Sequence, residues 1–168
     1  MPPPFYGKYR GKVEQNVDPK NQGRIQVSVR DVLGKGKLSW AMPCVPYAGP
    51  GVGFFSIPPK GASVWVEFEG GDQDAPIWTG CFWDTGEMPP VVPALPTMRA
   101  FKTDSVDLQI VELPGAGSLK LTVGPPALVV PAKIEIGATG IKLSFATSTV
   151  ELSPEGVKLN GSNLVVLP

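Results

Sequence analysis

Four carboxylates fall within one short stretch, Glu67, Glu69, Asp72 and Asp74. Paired carboxylates can divide acid and base roles or hold a divalent cation, but both uses need an enclosing pocket that perturbs them. Here Glu67 and Glu69 share one face of an alternating strand that runs into the turn "GGDQDAP", the pattern of an exposed acidic strand end. The chain contains no histidine. That removes the commonest general base, the usual partner of a nucleophilic Ser or Cys, and the commonest metal ligand. "GPGVG" and "PPKGAS" suggest phosphate loops, yet the GK[ST] ending of a Walker A loop is absent, so both read as Gly/Pro connections. Cys44 and Cys81 have no metal-site spacing and are expected as two buried free thiols. No catalytic residue, metal or cofactor is expected, and the protein is not expected to be an enzyme.

Trp40, Trp65, Trp78 and Trp83 could stack nucleic-acid bases. Such surfaces interleave aromatics with cations, whereas this chain balances 15 basic against 15 acidic residues. Only Lys8, Arg10, Lys12 and Lys35, Lys37 cluster. The tryptophans are therefore expected in core packing or trimer contacts, and nucleic acid is not an expected partner.

The elements that must position these residues are strands. Gly and Pro number 20 each and are spread along the sequence, and no run keeps apolar residues at helical spacing. "GRIQVSV" puts Ile25, Val27 and Val29 on one face, and "SVWVEFE" does the same with Val64, Val66 and Phe68. With "YGKYRGKVEQNV" before them, "LSWAMPCVPYAG" between and "IWTGCFW" after, about five short strands occupy residues 1–86. A small closed barrel is the expected solution, because closure removes exposed sheet edges; the OB-fold is the commonest barrel of this size. "EMPPVVPALP" carries four prolines in ten residues and reads as a stiff linker over residues 87–99.

Residues 100–168 alternate again, through "SVDLQIVEL", "SLKLTV" and a second Pro-rich stretch, "GPPALVVPA". "GIKLS" at 140–144 and "GVKLN" at 156–160 then repeat, with "TVELS" between them. An alternating strand has an apolar side to bury, and a few short strands make too small a core alone. Self-association supplies the cover: Ile134, Ile136, Ile141, Leu143, Val150, Leu152, Val157 and Leu159 are expected to face a shared axis. Three copies would close a prism with an apolar interior. "NLVVLP", comprising Asn163, Leu164, Val165, Val166, Leu167 and Pro168, is either a last buried strand or a blunt apolar end awaiting a capping protein.

The stretch "PYAGPGVGFFSIPPKGASVWVEFEGGDQDAPIWTGCFW" resembles the OB-fold signature of central spike proteins from contractile phage tails and related injection systems. That group includes VgrG proteins and the phage baseplate assembly protein V family. "GKVEQNVDPKNQGRIQVSV" is similar to the family's opening strands, with Asp18-Pro19 and Gly23-Arg24 in its turn. "FKTDSVDLQIVELPGAG" resembles the entry into its needle, a trimeric β-prism. The resemblance implies an all-β chain: an N-terminal OB-fold-like barrel followed by a trimeric, intertwined β-prism or β-helix needle. It implies a homotrimer that meets tube, hub and baseplate proteins through the barrel, carries a PAAR-like tip protein on residues 163–168, and punctures a target membrane. No lysozyme-like segment separates barrel from needle, so wall-degrading activity is not implied, and without histidine neither is the metal held by some tips.

The expected function is thus a structural central spike. The alternative is an OB-fold module binding single-stranded nucleic acid or an oligosaccharide. Met1 precedes Pro-Pro-Pro with no basic start or apolar core, and no apolar run approaches the roughly 20 residues of a membrane helix. Assembly in the cytoplasm is expected, with the product part of a phage-tail-like particle or injection apparatus, or released with it.

Overall fold

The structure is a computed structural model that describes residues 4–161 and 163–167. The chain divides into two units, Met1–Glu87 and Met88–Pro168.

In the first unit β1 (Tyr9–Gln15) pairs antiparallel with β2 (Ile25–Ser28), and β2 with β3 (Ser39–Pro43). A small hairpin follows, β4 (Ala48–Gly49) and β5 (Val52–Gly53), and then β6 (Ser63–Phe68) and β7 (Pro76–Phe82). The order β1-β2-β3-β7-β6 closes into a barrel because β6 returns to β1 and β7 lies parallel to β3. The alternation seen in the sequence sets the core: Val13, Ile25, Val27, Val29, Ala41, Val64, Val66, Phe68 and Trp78 point inward. Trp78 is buried at 5% exposure yet donates its Nε1–H to the Gly23 carbonyl at 3.3 Å, so its polar edge is satisfied. One helical turn, α1 (Arg30–Leu33), was not expected from a helix-poor sequence; at four residues it is too short to show a period. The two cysteines depart from expectation. Both are unpaired, but both are exposed, Cys44 just beyond the end of β3 and Cys81 near the outer end of β7.

The second unit is one antiparallel sheet whose strands follow in chain order: β8 (Met98–Lys102), β9 (Val106–Val111), β10 (Ser118–Val123), β11 (Ala132–Gly137), β12 (Gly140–Phe145), β13 (Ser148–Ser153), β14 (Gly156–Leu159) and β15 (Leu164–Val166). Strand pairing starts at Met98, before the Pro-rich stretch read as linker has run out. Among the described residues no hydrophobic side chain of this sheet is buried; the core belongs to the barrel. A sheet with one apolar face and no second layer is incomplete by the packing logic of folded domains.

Candidate interaction surfaces

Register decides what the sheet presents. Ile134, Leu143, Val150 and Leu159 stand opposite one another on successive strands and form one cross-strand row. Ile136, Ile141, Leu152 and Val157 form the next row on the same face. The eight positions singled out by alternation therefore come together as two adjacent lines. The rows run further than that set. Leu121, Leu108 and Phe101 extend the first towards β8, and Leu119 and Ile110 the second. The same alternation in "SVDLQIVEL" and "SLKLTV" carried that signal. Leu164 and Val166 continue both rows at the other end. Ile134, Ile136, Ile141, Leu143, Leu152 and Val157 keep 36–43% of their surface exposed, an apolar face far longer than single scattered residues would give.

Turns hold this register. Gly140 and Gly156 occupy φ +136° and +123°, and a Cβ there would fall on the carbonyl oxygen of Leu152 or of Val166 on the adjoining strand. Only glycine fits such a junction, which explains why "GIKLS" and "GVKLN" repeat with their glycine. Asn160 closes the turn after β14 at φ 50°, accepting Thr149 N–H on its Oδ1 at 2.8 Å.

The opposite face is a charge ladder. Lys120, Glu135, Lys142, Glu151 and Lys158 lie opposite one another in strand order and alternate in sign. Lys142 Nζ reaches Glu151 Oε1 at 2.6 Å and Lys120 reaches Glu135 at 3.6 Å. The hydrogen bond from Lys142 holds the Glu151 carboxyl below its ordinary pKa and raises that of Lys142.

At the end of the sheet β15 is apolar on both sides. Leu164 and Val166 lie on the apolar face and Val165 stands opposite Lys158. Leu164, Val165, Val166 and Leu167 are exposed by 40–73%, and Asn163 is exposed beside them. Pro168, included in the same expected surface, lies outside the described residues.

The barrel gathers no reactive constellation. Glu67 is ion-paired with Lys8 at 2.8 Å, Glu69 opens a tight turn, and Asp72 Oδ1 accepts Asp74 N–H at 2.9 Å. Among the described residues no group of three or more His, Cys, Asp and Glu side chains is placed to hold a metal. The basic strand is matched from within: Lys8 by Glu67, Arg10 by Asp84 at 3.8 Å, Lys12 by Asp84 and Glu87 at 3.6 and 3.7 Å. The Thr85 backbone N–H, followed by Lys12 and Arg10, keeps the Asp84 carboxyl below its ordinary pKa. Of the tryptophans, Trp78 is core, Trp65 stacks on Phe82 at 4.6 Å under the Arg10 guanidinium, Trp40 lies beneath Arg24, and Trp83 is exposed. "GPGVG" is the β4–β5 hairpin, an uncharged projection on which Tyr47, Val52, Phe54 and Phe55 are half or more exposed.

Two comparisons complete the picture. A family model described as the type VI secretion system/phage-baseplate injector OB domain matches residues 9–83, the barrel. A second, the phage baseplate V C-terminal trimerisation domain, matches residues 99–165, the sheet with the uncovered apolar face. A comparison with curated proteins finds no match to the chain.

Proposed function

Because the chain belongs to the baseplate V and VgrG-like family of spike proteins, we propose that it is the homotrimeric central spike of a contractile, phage-tail-like injection machine, with the barrel as hub and the sheet as a membrane-puncturing shaft that carries a tip. The observation that bears most weight is the continuous apolar face of the second unit. Three such faces turned inward give one shared core, and the charged ladders remain outside in water. In this reading the work is mechanical. Force delivered along the shaft is carried by strands cross-linked through backbone hydrogen bonds, and neither a catalytic group nor a cofactor has a part.

On the barrel, the uncharged β4–β5 hairpin with Tyr47, Phe54 and Phe55 supports a contact with tube or hub proteins. At the other terminus the doubly apolar β15 supports docking of a PAAR-type tip on residues 163–168. Assembly would take place in the cytoplasm before incorporation into the particle. A single-stranded nucleic-acid module is disfavoured because Lys8 and the β1 cations Arg10 and Lys12 are already paired with carboxylates of the same unit.

Tip docking is tested by co-expressing the tagged chain with a PAAR-type protein from the same gene cluster. Deleting residues 163–168 should abolish co-purification of the tip while the spike still sediments as a trimer. Undiminished recovery of the tip would place the docking surface elsewhere.

A further inference from the structure

Tight turns of two residues join β11 to β12, β12 to β13 and β13 to β14, but residues 124–131 between β10 and β11 form a longer loop. Its ends are closed, since Pro131 lies against Gly124. Its base is fastened to Ser105: Gly124 N–H donates to the Ser105 carbonyl at 2.8 Å and Ala127 N–H to Ser105 Oγ at 3.1 Å. Leu128 N–H then bonds the Gly124 carbonyl at 3.0 Å, forming a helical turn. On this fixed base Val129 stands 92% exposed and Val130 40% exposed. Among the described residues almost nothing covers Val129, and Val130 is covered in part.

The loop springs from the margin of the apolar face, since Val123 and Ala132, which it joins, pair with each other on that face. At the opposite margin of the same strands lies an open groove bounded by Ile110, Leu119 and Ile136, with Gly117 and Gly137 leaving room at its mouth. Knob and groove thus sit at one level of the sheet and on its two opposite margins. In a cyclic trimer each sheet margin meets the opposite margin of the next copy, so a knob and groove placed this way match head to tail and close a ring.

We propose that residues 128–130 are an inter-protomer clasp, with Val129 and Val130 of one copy seated in the margin groove of the next. The proposal rests on the trimer and adds to it the contact that locks neighbouring sheets at the corner. It is continuous with the apolar face that the trimerisation domain must cover, and it gives the apolar loop between β10 and β11 a role that the two-residue turns beyond β11 lack.

The test uses the full chain with Cys44→Ser and Cys81→Ser as background. Val129→Cys combined with Ala138→Cys, oxidised with diamide, should give covalent trimers on denaturing gels, while either cysteine alone should not. A second variant, Val129→Asp, should raise the concentration at which trimers half-dissociate at least about tenfold, as expected where each copy loses a buried valine. Val92→Asp, at an exposed valine of the Pro-rich stretch, should leave it unchanged. Intact native trimers with no covalent product and no Val129→Asp effect would overturn the clasp alone. A wild-type chain that sediments as a monomer would overturn clasp and trimer together.

Discussion

Asp18 accepts hydrogen bonds from the Lys20, Gln22 and Arg24 backbone N–H groups and a two-pronged contact from the Arg24 guanidinium, at 2.6 and 3.1 Å. Both side chains are nearly enclosed, at 5% and 12% exposure, so the pair fastens the β1–β2 turn. The Arg24 hydrogen bond is the main cause that holds the Asp18 carboxyl well below the usual carboxylate range. A carboxyl whose folded pKa is depressed stabilises the fold above its unfolded value, about 3.9, and that contribution is lost as pH falls from there through the folded pKa. Asp18→Asn should therefore lower the urea midpoint of the barrel at neutral pH, and the gap to wild type should narrow towards about pH 3. A gap that stays constant with pH would show that charge has no part in the clamp. The sequence displayed Asp18 and Arg24 only as turn residues of a familiar signature; their bonding depends on a loop path that alternation does not encode. The same limit applies to Cys44 and Cys81, whose exposure follows from where β3 and β7 end.

At the scale of strands, alternation is a degenerate code. A slip of one residue turns the apolar rows outward, but a slip of two keeps every apolar side chain inward and is invisible to the core. The charge ladder distinguishes these cases, since a two-residue slip separates Lys142 from Glu151 and leaves each beside an uncharged residue. Lys142→Glu should lower the thermal midpoint of the assembled protein by setting like charges opposite Glu135 and Glu151. Reversing the central pair, with Lys142→Glu and Glu151→Lys together, restores that pair but opposes Glu135 and Lys158, so recovery should be partial. Restoring full alternation requires Lys120→Glu, Glu135→Lys and Lys158→Glu as well, since Lys120 stands opposite residue 135, and circular dichroism melts of the three variants should rank in that order. Equal melting of all three would deny the ladder any role in register. The strands with unbroken alternation were legible in the sequence. Prolines concealed where β8 begins, and the β4–β5 hairpin of two-residue strands is too short for a period to emerge.

For the molecule as a whole, cohesion is divided unequally: one unit holds a core of its own, and the other has a face whose cover must come from further copies. All four tryptophans lie in the first unit, so intrinsic fluorescence reports the barrel and sedimentation reports the association. Ile134→Asp with Leu143→Asp places carboxylates on the apolar face, and if that face is the shared core, each buried unpaired charge costs about several kcal/mol. The expected product sediments as a monomer and retains wild-type tryptophan emission. A variant that remains trimeric would remove those rows from the interface. The need for copies was legible from the sequence because a missing core follows from strand length and spacing alone; the knob and groove at the sheet margins were not, since they exist only once the register has aligned them. The glycine junctions have one more consequence. Gly140 and Gly156 stand at equivalent junctions, so residues 140–155 form an interchangeable module whose ends match. Inserting a second copy keeps the apolar rows, the alternation of charge and the glycine seams in phase, and adds two strand spacings, about 10 Å. Length is thus a digital property of this sheet: it can grow or shrink by whole hairpins, and intermediate lengths have no register to occupy.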